Sequence, residues 1–258
     1  MPHSSVAAGV AHGCRELTRY TEFREAAALY ARVFAYTENE YALNANLLTA
    51  LARNGGSAVG AFADDGELIG FAYGFAGCDT AGASFHYSQA AAVDAAYQGR
   101  GVGQALKRAQ RDVAVRWGQR TMRWTFDPLL SRNAHFNLSS LGAVGIAYER
   151  DYYARPDTDR LVVSWDLDAA ERPSHRSLPV PPVLGSDDWG RAVAADGGTW
   201  IAIPTRPGEL DVEARAVLRR ELERTMTAVF RRGDILVGAT RLDDDTAVYR
   251  ATPREGTA

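Results

Sequence analysis

Two periods of hydrophobic recurrence alternate along this chain, and the switches between them mark its elements. Phe23, Ala26, Ala27, Tyr30, Val33 and Phe34 recur at helical spacing, with Thr21 placed to cap the helix and a short strand, Cys14 to Leu17, before it. A second helix, Leu43 to Arg53, stops at Asn54-Gly55-Gly56. Ser57 to Ala63 and Glu67 to Phe75 are β-rich runs joined through Asp64-Asp65-Gly66 as a tight hairpin, and Ala76 to Ala83 reads as loop. In the next strand, Phe85 to Val93, simple alternation puts Phe85, Tyr87, Gln89, Ala91 and Val93 on one face. His86, Ser88, Ala90 and Ala92 then share the other.

Helical period returns at Val102 to Trp117. Val102, Leu106, Ala109, Val113 and Trp117 form its apolar stripe, and Lys107, Arg108, Arg111 and Asp112 its solvated side. Met122 to Phe126 is a strand stopped by Asp127-Pro128, and Asn133 to Leu141 a short helix ended by Gly142. Ile146 to Tyr153 and Arg160 to Leu167 read as two more strands. Four prolines between Ala169 and Gly185 mark a linker. Beyond it come a strand (Thr199 to Ile203), a helix (Leu210 to Arg232) burying Leu218, Leu222, Met226 and Val229, and two strands split by Asp243-Asp244-Asp245. The arginines of that helix, among them Arg215, Arg219 and Arg220, alternate with glutamates and read as an exposed face. The pattern divides the chain into a tail (1–13), a main domain (14–168), a linker (169–186) and a smaller C-terminal α/β extension (187–258). The extension is too small to cover both faces of a sheet, so it should pack on the main domain.

Composition narrows the function classes. A net charge of −3 gives no global basic field, so nucleic acid is not an expected partner. No apolar run approaches the roughly 20 residues that cross a bilayer, so no membrane partner is expected. Cys14 and Cys78 match no metal spacing and have no flanking base. Free thiols and the lack of a signal-like start predict a cytoplasmic protein without a metal.

The stretch Gln98-Gly99-Arg100-Gly101-Val102-Gly103 follows a strand and opens a helix, which turns backbone N–H groups and a helix N-terminus toward one point. Such a point suits a phosphate. A nucleoside triphosphatase loop would need a Gly-Lys-Ser/Thr sequence, and Lys107 comes a turn too late. A dinucleotide fold would place the turn in the first βα unit. The pyrophosphate of coenzyme A and a tight turn with no ligand remain.

Val93-Asp94-Ala95-Ala96-Tyr97-Gln98-Gly99-Arg100-Gly101-Val102-Gly103 resembles the acyl-CoA signature of the GNAT superfamily, Gln/Arg-x-x-Gly-x-Gly/Ala after a strand. The order of elements agrees with that resemblance from Cys14 to Leu167. Three further stretches, Trp124 to Leu129, Ser131 to Asn137 and Asp159 to Leu161, resemble a GNAT branch with a C-terminal extension. The resemblance implies an α/β GNAT fold with a mixed sheet splayed between the Phe85–Val93 and Met122–Phe126 strands. It implies an N-acyltransferase, chiefly an N-acetyltransferase, moving an acyl group from acetyl-CoA or another acyl-CoA to a primary amine of a small molecule. Succinyl transfer to amino acids and a non-catalytic acyl-CoA-binding module are the alternatives, and a homodimer is an allowed assembly. Gln98, Gly99, Arg100, Gly101, Val102 and Gly103 would hold the pyrophosphate, Ala91 and Val93 the pantetheine, and Asn133 and Asn137 the thiol end. Asp127 is the first candidate for work on the amine, as base relay, counter-ion or simply a turn cap, followed by His86, Ser88 and His135. The family often carries a tyrosine acid four residues before the glycine that ends this helix. Here that position is Leu138. His135, Asn133, Asn137, a tyrosine among Tyr148, Tyr152 and Tyr153, or water would then serve.

Overall fold

The computed structural model describes residues 13–37, 42–169 and 179–254. The expected tail, up to residue 12, and residues 170–178 of the expected linker lie outside the described residues. The chain packs as two compact units, one ending at Met122 and the other starting at Arg123.

The first unit holds β1 (Gly13–Glu16), α1 (Tyr20–Val33), α2 (Ala45–Arg53), β2 (Ser57–Phe62), β3 (Leu68–Cys78), β4 (Ser84–Val93) and α3 (Val102–Arg116). Its strands run antiparallel in the order β1-β2-β3-β4. Alternation along the strands splits the core by face. Ala58, Phe71 and Tyr73 pack with Phe23, Leu29 and Leu48 of α1 and α2. Their neighbours Val59 and Ala72 pack with Val102, Leu106 and Val113 of α3. Helix α1 begins one residue before the expected Thr21 cap. The N–H groups of the two residues before the helix are served by Glu22, whose carboxylate accepts from Thr18 N (2.9 Å) and Arg19 N (3.1 Å). Contact with the Arg15 guanidinium holds that carboxyl far below the usual range.

The second unit holds most of β5 (Thr121–Phe126), α4 (Ser131–Ala134), a π-helical continuation (His135–Ser140), β6 (Val144–Glu149) and β7 (Arg160–Asp166). It goes on with β8 (Ala192–Ala195), β9 (Gly198–Pro204), α5 (Val212–Arg231), β10 (Asp234–Arg241) and β11 (Thr246–Pro253). The strand order is β5-β7-β6-β10-β11-β9-β8. The extension is therefore not a lobe laid on a finished sheet: β10 continues the sheet beside β6, through Leu236 opposite Gly145. A Cβ on Gly145 would lie 2.9 Å from the Leu236 Cβ, so this seam needs a glycine. Strand β8 escapes the sequence pattern because Ala-Val-Ala-Ala carries little β signal.

Four sequence-based expectations change. Lys107 is buried rather than solvated, at 4% exposure, and Trp117 lies outside the stripe at 47%. The faces of β4 exchange partway along. Register shifts so that Tyr73 faces Ala90 while Gly74 faces Ser88, leaving Gln89 as an extra residue. His86 and Ser88 thus join Val93 on the α3 face, and Ala90 packs on the α1 side. Arg219 is not on an exposed face; its side chain is 13% exposed in an ion pair.

Candidate active site

The glycine turn forms as a real cradle. Gly99 (φ 75) and Gly101 (φ 84) are left-handed, a conformation that costs an L-residue about 1–2 kcal/mol. A Cβ added at either would meet nothing within 4 Å, so the space above the turn is open. Gly101 is the N-cap of α3, and no side chain among the described residues caps that helix. Its leading N–H groups and dipole thus face an open approach, the arrangement that binds anions. Asp94 shapes the entry by accepting from Ala96 N (3.0 Å) and pairing with Arg32 (3.2 Å). Gln98 donates to Val93 O at 3.2 Å, and the exposed Arg100 lies over the Tyr97 ring, 5.6 Å from its centroid. Ala91 is exposed and Val93 half-buried at the end of the strand that feeds the turn.

Behind β4 runs a continuous buried polar chain. Lys107 Nζ donates to Ser88 Oγ (2.7 Å), which donates to Gln110 Oε1 (2.8 Å). Gln110 Nε2 donates to Ser57 Oγ (3.1 Å), which lies 2.8 Å from His86 Nε2. His86 Nδ1 is 2.7 Å from Gln119 Oε1, and Gln119 Nε2 ends the chain on Gly55 O (3.0 Å). Burial pushes His86 down to about 4, with the charge of Lys107 adding to it and the bond to Gln119 opposing it. Burial likewise pushes Lys107 down to about 7. Sequence reasoning missed Lys107, Gln110, Gln119 and Ser57 as a group. One signal was present: Gly103, Lys107, Gln110 and Ala114 form a second stripe of helical period beside the apolar one.

In the second unit the corner after β5 is held from four sides. Asp127 Oδ1 accepts from Leu129 N (2.9 Å) and Oδ2 from Arg219 Nη2 of α5 (2.9 Å). Tyr249 of β11, fully buried, donates to Pro128 O at 2.6 Å, and Leu130 N donates to Asp127 O at 3.0 Å. Asp127 therefore does cap a turn, and it does so as half of an ion pair the sequence did not suggest. Nearby, Tyr148 donates to Asp159 Oδ2 (2.7 Å). Burial and then that carboxylate raise its phenol well above the usual value.

His135 is exposed, and its Nδ1 lies 3.0 Å from Ala239 O. A carbonyl can only accept, so the bond fixes the proton on Nδ1 and turns Nε2 of the neutral ring into a basic lone pair. Ser139 Oγ bonds the same residue twice, to O at 2.7 Å and from N at 3.0 Å. Asn133 and Asn137 do not share a face as i,i+4 partners: the π-helical turn intervenes, leaving Asn133 exposed and Asn137 buried. Asn137 Oδ1 accepts from Trp124 Nε1 at 2.9 Å, and Leu138 is core at 2% exposure. Tyr152 and Tyr153 are exposed and pack ring against ring.

Among the described residues no group of three or more His, Cys, Asp or Glu is placed to hold a metal ion, and no helix is long and apolar enough to cross a membrane. Residues 15–138 match the model of the acetyltransferase (GNAT) family, so this part of the chain is a GNAT domain, a class whose chemistry is acyl transfer. Among solved structures, the Salmonella typhimurium protein yncA, determined with its cofactor acetyl-CoA, is 19% identical. That match covers 63% of this chain and 98% of that one, with a TM-score of 0.50. A protein from Desulfovibrio desulfuricans assigned to the GNAT family is 18% identical over 61% of this chain and 99% of that one, with a TM-score of 0.49. At 19% identity the likeness to the Salmonella typhimurium protein speaks for the fold alone. No curated protein sequence matches the chain.

Proposed function

We propose that this protein is an N-acyltransferase that moves an acyl group, in the simplest case acetyl, from acyl-CoA to a primary amine of a small molecule by direct transfer. The observation that carries the reading is the open, uncapped N-terminus of α3 behind two left-handed glycines. Gln98 to Gly103 bind the pyrophosphate in this reading, Arg100 adds a charged contact, and Ala91 and Val93 mark the pantetheine track. Of the two asparagines offered to the cofactor, Asn133 is exposed, whereas Asn137 serves Trp124.

In the reaction a C–N bond forms as the thioester C–S bond breaks. An ordinary ammonium near 10.4 must first lose a proton, at about 4–5 kcal/mol at pH 7. We assign that proton to the free Nε2 of His135, directly or through water, because the bond to Ala239 O already sets the tautomer. Asp127, with both oxygens engaged, acts as counter-ion. His86 and Ser88 belong to the buried chain and support the strand rather than touch the amine. The proton that the thiolate finally takes comes from water, since the position of the family's tyrosine is a buried leucine.

Thermal shift with acetyl-, succinyl- and longer acyl-CoA separates the possible donors; a ligand at about 100 times its Kd adds about 2.7 kcal/mol of stability. Gly99→Ala and Gly101→Ala should lower the shift for every CoA ester. Thiol release across an amine panel then tests catalysis, and His135→Gln should lower turnover about 100-fold with the CoA shift retained. No shift with any CoA ester would falsify the acyl-CoA reading. The second reading, an acyl-CoA-binding module, is motivated by Leu138 and predicts a shift without thiol release for any amine.

A further inference from the structure

Lys107 is the chain's one lysine, and α3 places it almost wholly inside the first unit. Burying an ammonium costs several kcal/mol, and a methionine or leucine would fill similar space without that penalty. What the lysine touches shows what it does there. Its Nζ holds Ser88 Oγ, the residue immediately before the extra residue Gln89 of β4. Gln110, one turn further along α3, holds the same hydroxyl from the other side, and the chain runs on through Ser57 to His86.

The bulge and this polar chain coincide at one point. A bulge leaves its extra residue outside the ladder and bends the strand, so its conformation is fixed only by what grips its flanks. The opposite strand is shaped for the same purpose: a Cβ on Gly74 would come within 2.4 Å of Tyr87 O and 2.5 Å of His86 Nε2. Ser88 is thus clamped between the Gly74 backbone and two long side chains of α3, while the strand beyond Gln89 leads to the glycine turn. We propose that Lys107 is a positioning residue: by gripping Ser88 it fixes the Gln89 bulge of β4, and with it the backbone that acyl-CoA lies along. The link to acyl-CoA rests on the proposed function; the grip on the bulge does not.

The test uses the full chain with Lys107→Met, and Ser88→Ala as a milder second variant should the first fail to fold. Two readouts are taken: amide hydrogen exchange across Ser84–Val93 and calorimetric binding of acetyl-CoA. Exchange at Gln89 and Ala90 should speed up about tenfold in either folded variant, with the β2 amides (Ser57–Phe62) unchanged. Acetyl-CoA affinity should fall about tenfold alongside. Unchanged exchange at Gln89 in a folded variant overturns the positioning role. Faster exchange with undiminished affinity overturns the link to acyl-CoA. A wild type that binds no CoA ester overturns the acyl-CoA reading instead, and the exchange data still decide whether Lys107 holds the bulge.

Discussion

Single residues in this protein are defined by how they are satisfied. His86 sits on β4, where the sequence offered it as a base, yet both ring nitrogens are engaged and no part of it is exposed. Burial keeps the imidazole near 4 instead of 6.5. Between those values the unfolded chain takes a proton that the folded chain refuses, so stability falls as pH drops through that window. This one group accounts for about 1.4 kcal/mol per pH unit and about 3 kcal/mol in all. Urea unfolding at pH 6.5 and 4.5 checks this: His86→Gln should be less stable than wild type at pH 6.5 but lose distinctly less on acidification. An equal loss in both proteins would rule out a buried neutral His86. Asp127 carries the opposite lesson. Its position at a strand end was legible, but Arg219 lies 92 residues away and only folding brings the two together. A double-mutant cycle on Asp127→Asn and Arg219→Met should show a coupling of about 1–3 kcal/mol in chemical denaturation, since the pair is largely shielded from water. Additive losses would mean that the pair contributes nothing as a pair.

At the level of elements, periodicity located nearly every helix and strand and misjudged what some of them face. Helix α3 buries two stripes, one apolar and one made of Gly103, Lys107, Gln110 and Ala114, because β4 offers it polar partners. The alternation of β4 fails at one residue, since a bulge shifts every later side chain to the other face. No local sequence signal announces that bulge; the tightness of the facing Gly74 does so only in three dimensions. Gly74→Ala should therefore destabilise by more than about 2 kcal/mol, well above the cost expected for an alanine in an open strand. A melting temperature within a degree or two of wild type would show that β3 and β4 yield there. The helix after β5 was placed to within a few residues, but its π-helical turn decouples Asn133 from Asn137 and points Asn137 at Trp124.

For the molecule as a whole, the C-terminal extension changes meaning. Its proline-marked boundary is visible in the sequence, and so are its strands and long helix. Its role is not: β10 extends the sheet beside β6, and α5 and β11 send Arg219 and Tyr249 to the corner after β5. Truncation after residue 168 would leave Gly145 of β6 without its ladder partner Leu236 and Pro128 O without its buried donor. The truncated chain should aggregate or melt without cooperativity, and calorimetry of the purified fragment is the check. A cooperative transition resembling that of wild type would mark the extension as an independent attachment.

The sequence alone determined whatever depends on near neighbours. The element order, the left-handed glycines and the helix opening at Val102 follow from spacing and backbone sterics within a dozen residues. So does the open, uncapped helix N-terminus behind them, which the proposed function reads as an anion site. Tertiary structure alone decided which side chains meet across long separations. Lys107 was drawn beneath β4, His86 closed off between Ser57 and Gln119, Arg219 set on Asp127, and His135 turned so that Ala239 fixes its tautomer. The reason is physical. A polar side chain's role is set by the partner that satisfies it once water is excluded, and that partner is chosen by the packing of whole elements rather than by the residues beside it in the chain.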